Sequence, residues 1–126
     1  MAYHAEVRTI PHAEQRYDTV GDYFTKDGVV QFRVSELGDW RFEFLVFLHE
    51  AVEKALTKYH GVSEAEIDKF DTAYENARLE GDFSEPGDCV KAPYHDAHVI
   101  STGIEAQVAH FLGVDWVEYD KKVREL

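Results

Sequence analysis

At 126 residues, with 44% apolar and 13% aromatic residues, the chain has the size and composition of one folded domain, 1–126, which argues against intrinsic disorder and against a second independent domain. Thirteen Lys and Arg against 25 Asp and Glu leave a formal net charge of −12, which repels phosphate backbones and anionic lipid surfaces, so no nucleic acid and no membrane is expected as a partner. The longest apolar run, Phe44 to Leu48, falls far short of the ~20 residues that cross a bilayer, and the lone Cys89 with no apolar leader predicts a reduced, cytoplasmic protein.

Residues 3–10 and 15–24 mix Val, Ile, Thr and Tyr with polar residues on either side of Pro11 and read as extended segments. Val29 to Val34 alternates more cleanly, with Val30, Phe32 and Val34 on one face. The preceding Lys26-Asp27-Gly28 carries the Asp-Gly turn signal of a β-hairpin. After Gly38 the period changes. Phe44, Leu45, Leu48, Val52, Leu56 and Tyr59 recur at helical spacing, and Gly61 is placed to end a first helix of about residues 40–60. Ser63 and Glu66 form a capping box between Val62 and Ile67, so a second helix begins near 64 and turns Ile67, Phe70 and Tyr74 inward. The breaker-rich stretch from Glu80 to Pro93 reads as a loop. A third helix over 94–112 is expected to bury Val99, Ile100, Ile104, Val108 and Phe111, and Asp115 to Val123 gives a short terminal helix anchored by Trp116 and Tyr119. Strand signals precede residue 36 and helical signals follow residue 39, which is the signature of an α+β fold: an N-terminal antiparallel hairpin or three-stranded sheet on three main helices plus a short C-terminal one.

The chemistry-bearing string is His49-Glu50-x-x-Glu53. At about 100° per residue, His49 and Glu53 stand one turn apart on one side of the first helix, so both can reach one ion. The string parallels the H-E-x-x-H helix, in which residues i and i+4 hold zinc and the intervening Glu activates water. On that pattern His49 and Glu53 are metal ligands and Glu50 is the catalytic base. Both ligands flank an apolar stripe centred on Leu48, Val52 and Leu56, and a carboxylate at a core margin needs a partner.

Further ligands come from the later helices. Tyr94, His98, Ser101 and Glu105 share one stripe of the third helix, whereas His95 projects away, so His98 is the better histidine. His49, Glu53 and His98 make a His₂Glu set with a fourth position open to water, which suits a divalent metal, zinc by preference. Asp71, between Ile67 and Tyr74 on the second helix, is either a fourth ligand or an acceptor orienting one of the histidines. His4, His12, His60 and His110 read as surface residues. No Gly-rich phosphate loop, G-x-S-x-G elbow or paired-Cys motif occurs.

With these residues in view, the chain resembles a group of small uncharacterised phage and bacterial proteins over nearly its whole length. The landmarks are Ile10-Pro11-His12, Gln15-Arg16-Tyr17, Val20-Gly21-Asp22, Arg33-Val34-Ser35, Gly38-Asp39-Trp40, Leu48-His49-Glu50-Ala51-Val52-Glu53, Phe70-Asp71, Ala92-Pro93-Tyr94, His98 and Leu112-Gly113-Val114-Asp115-Trp116. In layout, a hairpin followed by a helix opening Phe-Leu-His-Glu is also similar to the minimal zinc peptidases of mobile elements, with Glu53 where the second His would stand. That resemblance implies a zincin-like layout and a zinc-dependent, peptidase-like hydrolase. Two alternatives stay open. Glu50, Glu53, Asp68 and Asp71 form E-x-x-E and D-x-x-D on adjacent helices, similar to helical nucleotide pyrophosphohydrolases that clasp magnesium. A phage-type accessory protein would instead bind a protein or peptide partner, or a second copy of itself as a homodimer, without catalysis.

Overall fold

A computed structural model of the chain describes residues 2–126. Three strands, β1 (Ala5–Ile10), β2 (Gly21–Lys26) and β3 (Val29–Ser35), precede four α-helices: α1 (Trp40–Tyr59), α2 (Glu64–Asn76), α3 (His95–Phe111) and α4 (Trp116–Arg124). Two 3-10 turns, His12–Glu14 and Pro86–Asp88, lie in the connecting loops. The α+β class and the segregation of strands from helices follow the sequence reading.

Asp27 and Gly28 both take positive φ, 53° and 76°, as a two-residue hairpin turn demands, and β2 pairs antiparallel with β3 from Gly21↔Val34 to Lys26↔Val29. The sheet as a whole is not antiparallel. Its order is β1-β3-β2, and β1 runs parallel to β3 from Ala5↔Val30 to Ile10↔Ser35. Residues 11–20 make this possible by crossing the end of β3 instead of turning back beside β1. Ser35 holds that crossing: its hydroxyl lies 2.8 Å from His12 Nδ1 and accepts from Gln15 Nε2 at 3.1 Å. His12, expected on the surface, is thus half-buried and structural.

Helix α1 opens where Asp39 accepts from the Arg41 amide at 2.9 Å, and α2 opens on the full Ser63/Glu66 capping box. Lys54 then ties the two helices by a 2.7 Å ion pair with Glu64, whose carboxylate also accepts from the Thr25 amide and hydroxyl of β2. Helix α1 lies on β2 and β3 and packs most extensively against α3.

The helix faces differ from the expected ones. On α1 the buried residues are Leu45, Val46, His49, Glu53, Lys54 and Thr57, while Phe44 and Tyr59 are exposed. On α3 the inversion is nearly complete: Ala97, His98, Ser101, Glu105 and Ala109 are buried, whereas Val99 and Ile100 are each 51% exposed and Phe111 is 88% exposed. The polar stripes turn inward because each side chain in them meets a partner there. Two apolar clusters flank this polar seam. One contains Val34, Leu37, Leu45, Val46, Ala109, Val114 and Tyr119, the other Tyr23, Val30, Phe32, Ile67, Ala92 and Tyr94, and Phe47 packs against both.

Leu45 is fully buried and Val99 is not, so their truncations separate the observed packing from the expected one. Leu45→Ala should cost ~2–5 kcal/mol in urea denaturation, whereas Val99→Ala should stay within ~0.5 kcal/mol of the parent.

Candidate metal centre

Along α1, His49 and Glu53 stand one turn apart and face α3, where His98 projects back at them. His49 Nε2 lies 3.2 Å from Glu53 Oε2 and 3.1 Å from His98 Nδ1, and His98 Nδ1 lies 3.1 Å from the same Glu53 oxygen. Three donor atoms thus mark a nearly equilateral triangle, and these three buried residues could hold a metal ion. Donors bound at ~2.0–2.1 Å to a tetrahedral ion stand ~3.3–3.4 Å apart, so an ion just off the plane of this triangle needs only a small expansion of it.

Each donor is fixed from behind. His49 Nδ1 lies 2.7 Å from Glu105 Oε1, and the other Glu105 oxygen accepts from the Tyr119 hydroxyl at 2.6 Å. His98 Nε2 lies 3.1 Å from both Glu85 Oε2 and Asp88 Oδ1. The second oxygen of Glu53 accepts from the Tyr23 hydroxyl at 2.9 Å. A ring whose far nitrogen donates to a carboxylate must present its other nitrogen's lone pair to the triangle when an ion is bound, which is how ligating histidines are oriented. Gly87 presses on the same ring, since a Cβ there would stand 2.4 Å from His98 Nδ1.

The electrostatics call for positive charge. Burial disfavours a charged His49, but the carboxylates of Glu105 and then Glu53 outweigh it and lift the ring to about 11. Burial opposes charge on His98 too, and Glu53 with Glu85 lifts it to about 10. Glu53 is also desolvated, yet its hydrogen bonds with both histidines hold it below the ordinary carboxylate range. The same carboxylates would favour a divalent cation, which would have to displace these protons to bind.

Glu50 is different. It is half-buried and makes no hydrogen bond or ion pair among the described residues, and burial together with the nearby Glu53 charge raises its carboxyl well above the usual range. Its Oε1 lies 2.8 Å from where a Cβ on Gly21 would stand, so the glycine at the start of β2 leaves the room it occupies. With His49, Glu53 and His98 it lines a cavity of about 1070 Å³ bounded by β2, α1, α2, the loop before α3, and α4.

Asp71 does not join the triangle. Its carboxylate instead accepts from Tyr17 at 3.2 Å and from Tyr94, so its acceptor sites are occupied by hydroxyls. Nor do Glu50, Glu53, Asp68 and Asp71 converge on one point. Asp68 pairs with Arg16, and among the described residues the groups with metal-ligand spacing are His49-Glu53-His98 and Glu85-Asp88-His98. Glu85, Asp88 and Glu105 were missed as members of the site. Glu105 carried a signal, its place on the His98 stripe seven residues on, whereas the loop position of Glu85 and Asp88 left no periodicity to read. His95 does point away, toward the Gly87 carbonyl at 2.9 Å.

No family model matches the chain, and neither the curated proteins nor the solved structures contain a match. Among the described residues no helix is long and apolar enough to cross a membrane.

Burial lifts the Asp71 carboxyl to about 6 despite the hydroxyls of Tyr94 and Tyr17, which stabilise its charged form. A carboxyl ¹³C NMR titration should therefore find an Asp71 midpoint near 6. Tyr94→Phe should move the midpoint upward, because it removes a donor to the carboxylate. A midpoint in the ordinary Asp range would contradict the burial argument.

Proposed function

We propose that the chain is a zinc-dependent hydrolase, peptidase-like in its layout, that binds one ion through His49 Nε2, His98 Nδ1 and Glu53 Oε2. The observation that carries this reading is the triangle of donors whose two imidazoles are each backed by carboxylates. Zinc is the ion of choice because two nitrogens and one oxygen suit it, whereas magnesium prefers oxygen and retains water. For the same reason the nucleotide pyrophosphohydrolase alternative loses support. The zincin-like layout rests on the β2–β3 hairpin preceding the helix that bears the ligands.

Bound there, zinc would supply an electrophile and lower the pKa of a coordinated water. The chain's own contributions are then distinct. Glu53, His49 and His98 fix the ion's place, and Glu105, Glu85 and Asp88 keep the imidazoles aimed. Glu50 is one residue along from His49, free of partners and open to the cavity, so it can take a proton from water and return it to a leaving group. Burial and the neighbouring Glu53 charge raise its carboxyl above the usual range, the direction that strengthens a general base.

Protein purified in zinc-containing buffer should contain close to one equivalent of zinc by elemental analysis. His49→Ala and His98→Ala should lose it, while Glu50→Gln should keep zinc and lose cleavage of fluorescein-labelled casein. Gly87→Ala should weaken zinc affinity by ~10–100-fold by displacing the His98 ring, an effect of the size seen when a ligand's support is removed. Zinc-free wild-type protein whose metal content matches His49→Ala would sink the proposal.

A second reading, an interaction domain without catalysis, draws on the outer side of α3. From Val99 to Phe111 its exposed residues include no Asp, Glu, Lys or Arg, in a chain of which 30% is charged. We assign to this face the homodimer contact that the non-catalytic alternative leaves open. Sedimentation equilibrium should then show a dimer that Ile100→Asp converts to monomer; a wild-type monomer at all concentrations would remove that assignment.

A further inference from the structure

The net charge of the chain is not spread over its surface. Of its 25 acidic residues, 14 line the cavity above the His49-Glu53-His98 triangle, together with only two of its 13 Lys and Arg. Eleven acids and eleven bases remain for the rest of the molecule, so the formal excess of acids lies in the cavity walls, even though Arg16 and Lys54, just outside them, pair with Asp22 and Asp68 and with Glu64.

The two cations in the walls are already engaged. Arg78 pairs with Glu75 at 2.7 Å, and Arg124 pairs with Asp120 at 3.0 Å. Several acids are likewise tied down, but Glu50 has no partner, and Glu85 and Asp88 reach the His98 ring from a loop that leaves them 54% and 61% exposed. One divalent ion in the triangle would offset only a small part of this charge. A concave surface of one sign with low-dielectric walls focuses its field into the cavity and concentrates ligands of opposite sign there. Aromatic rings stand among the acids: Phe83 is 61% exposed and Trp116 is 38% exposed, and aromatic rings attract ammonium and guanidinium groups.

We propose that this cavity takes a polypeptide segment rich in Lys and Arg, which makes basic peptides the substrate class of the site. This rests on the hydrolase reading above, and the charge distribution adds what the metal triangle leaves open. The cavity is large enough for several side chains, and a Lys or Arg side chain combines an apolar stem for the rings with a charged head for the carboxylates. An acidic peptide would meet repulsion from every wall.

The test uses zinc-loaded Glu50→Gln protein, which should bind without turnover, and fluorescence anisotropy. Three probes are needed: a fluorescein-labelled nonapeptide rich in Lys and Arg, its Glu and Asp counterpart, and spermidine as an unlabelled competitor. The basic peptide should bind at least about tenfold more tightly than the acidic one and weaken steeply as salt rises from 0.05 to 0.3 M, on the order expected for charge-driven association. Asp18→Asn with Glu80→Gln, two acids in the cavity walls, should cost several-fold in affinity, while Glu6→Gln with Glu36→Gln, outside them, should cost less than about twofold. Equal binding of the two peptides, or equal losses in the two double variants, would overturn the proposal. Spermidine displacing the peptide at matching concentration would overturn it in favour of a free polyamine. Zinc measured in the same samples separates the two claims: zinc bound without preference for the basic peptide ends only this inference, while preference without zinc ends the hydrolase reading.

Discussion

A buried imidazole–carboxylate seam between α1 and α3 sets the terms for the rest of the structure. His49, Glu53, His98 and Glu105 are all buried, and a buried charge left alone is far costlier than any apolar contact it displaces. Each therefore has to be satisfied by another member of the set, so the two helices must face each other along their polar stripes and in register. Tyr23 from β2 and Tyr119 from α4 complete the seam with hydroxyl donors. The sheet and the terminal helix are thereby held to the same cluster, and the apolar clusters form on either side of it.

This constraint also explains which parts of the fold were legible in the sequence. The hairpin was readable because an Asp-Gly turn is a local requirement on φ, and the α2 start because a capping box is a local pattern of donors and acceptors. The direction of β1 was not, since it depends on where residues 11–20 travel, and Ser35 anchors them from far along the chain. The inner face of α3 was misread for a related reason. Hydrophobic periodicity assigns Val99, Ile100, Ile104 and Phe111 to the core on the assumption that apolar side chains win the interior. Here His98, Ser101 and Glu105 occupy it, because each has a partner or a backbone carbonyl to bond, Ser101 donating to Ala97 at 2.8 Å.

The triangle itself was legible in part. Spacing of i and i+4 brought His49 and Glu53 together, and a shared stripe selected His98 over His95. Asp71 was attractive for its position at a core margin, but a buried carboxylate can be satisfied by hydroxyls as well as by a metal, and Tyr17 with Tyr94 does so. Sequence spacing locates a carboxylate on its helix, not the donors that arrive from other elements. The same limit hid Gly87, whose lack of a side chain matters only because the loop folds against an imidazole.

Two carboxylates three residues apart on α1 end up with opposite character. Glu53 touches two imidazoles and a tyrosine hydroxyl, and those contacts overcome its burial and keep it ionised. Glu50 is desolvated beside that ionised neighbour with no donor of its own, so its proton is held more tightly. The difference arises from neighbours, not from the residues, and it is the kind of separation on which the proposed acid–base role of Glu50 depends. The room for Glu50 is made by Gly21, at the edge of the sheet, and the partners of Glu53 come from β2, α3 and the preceding turn of α1. A sheet edge and a second helix have thus given two identical side chains on one helix opposite proton affinities.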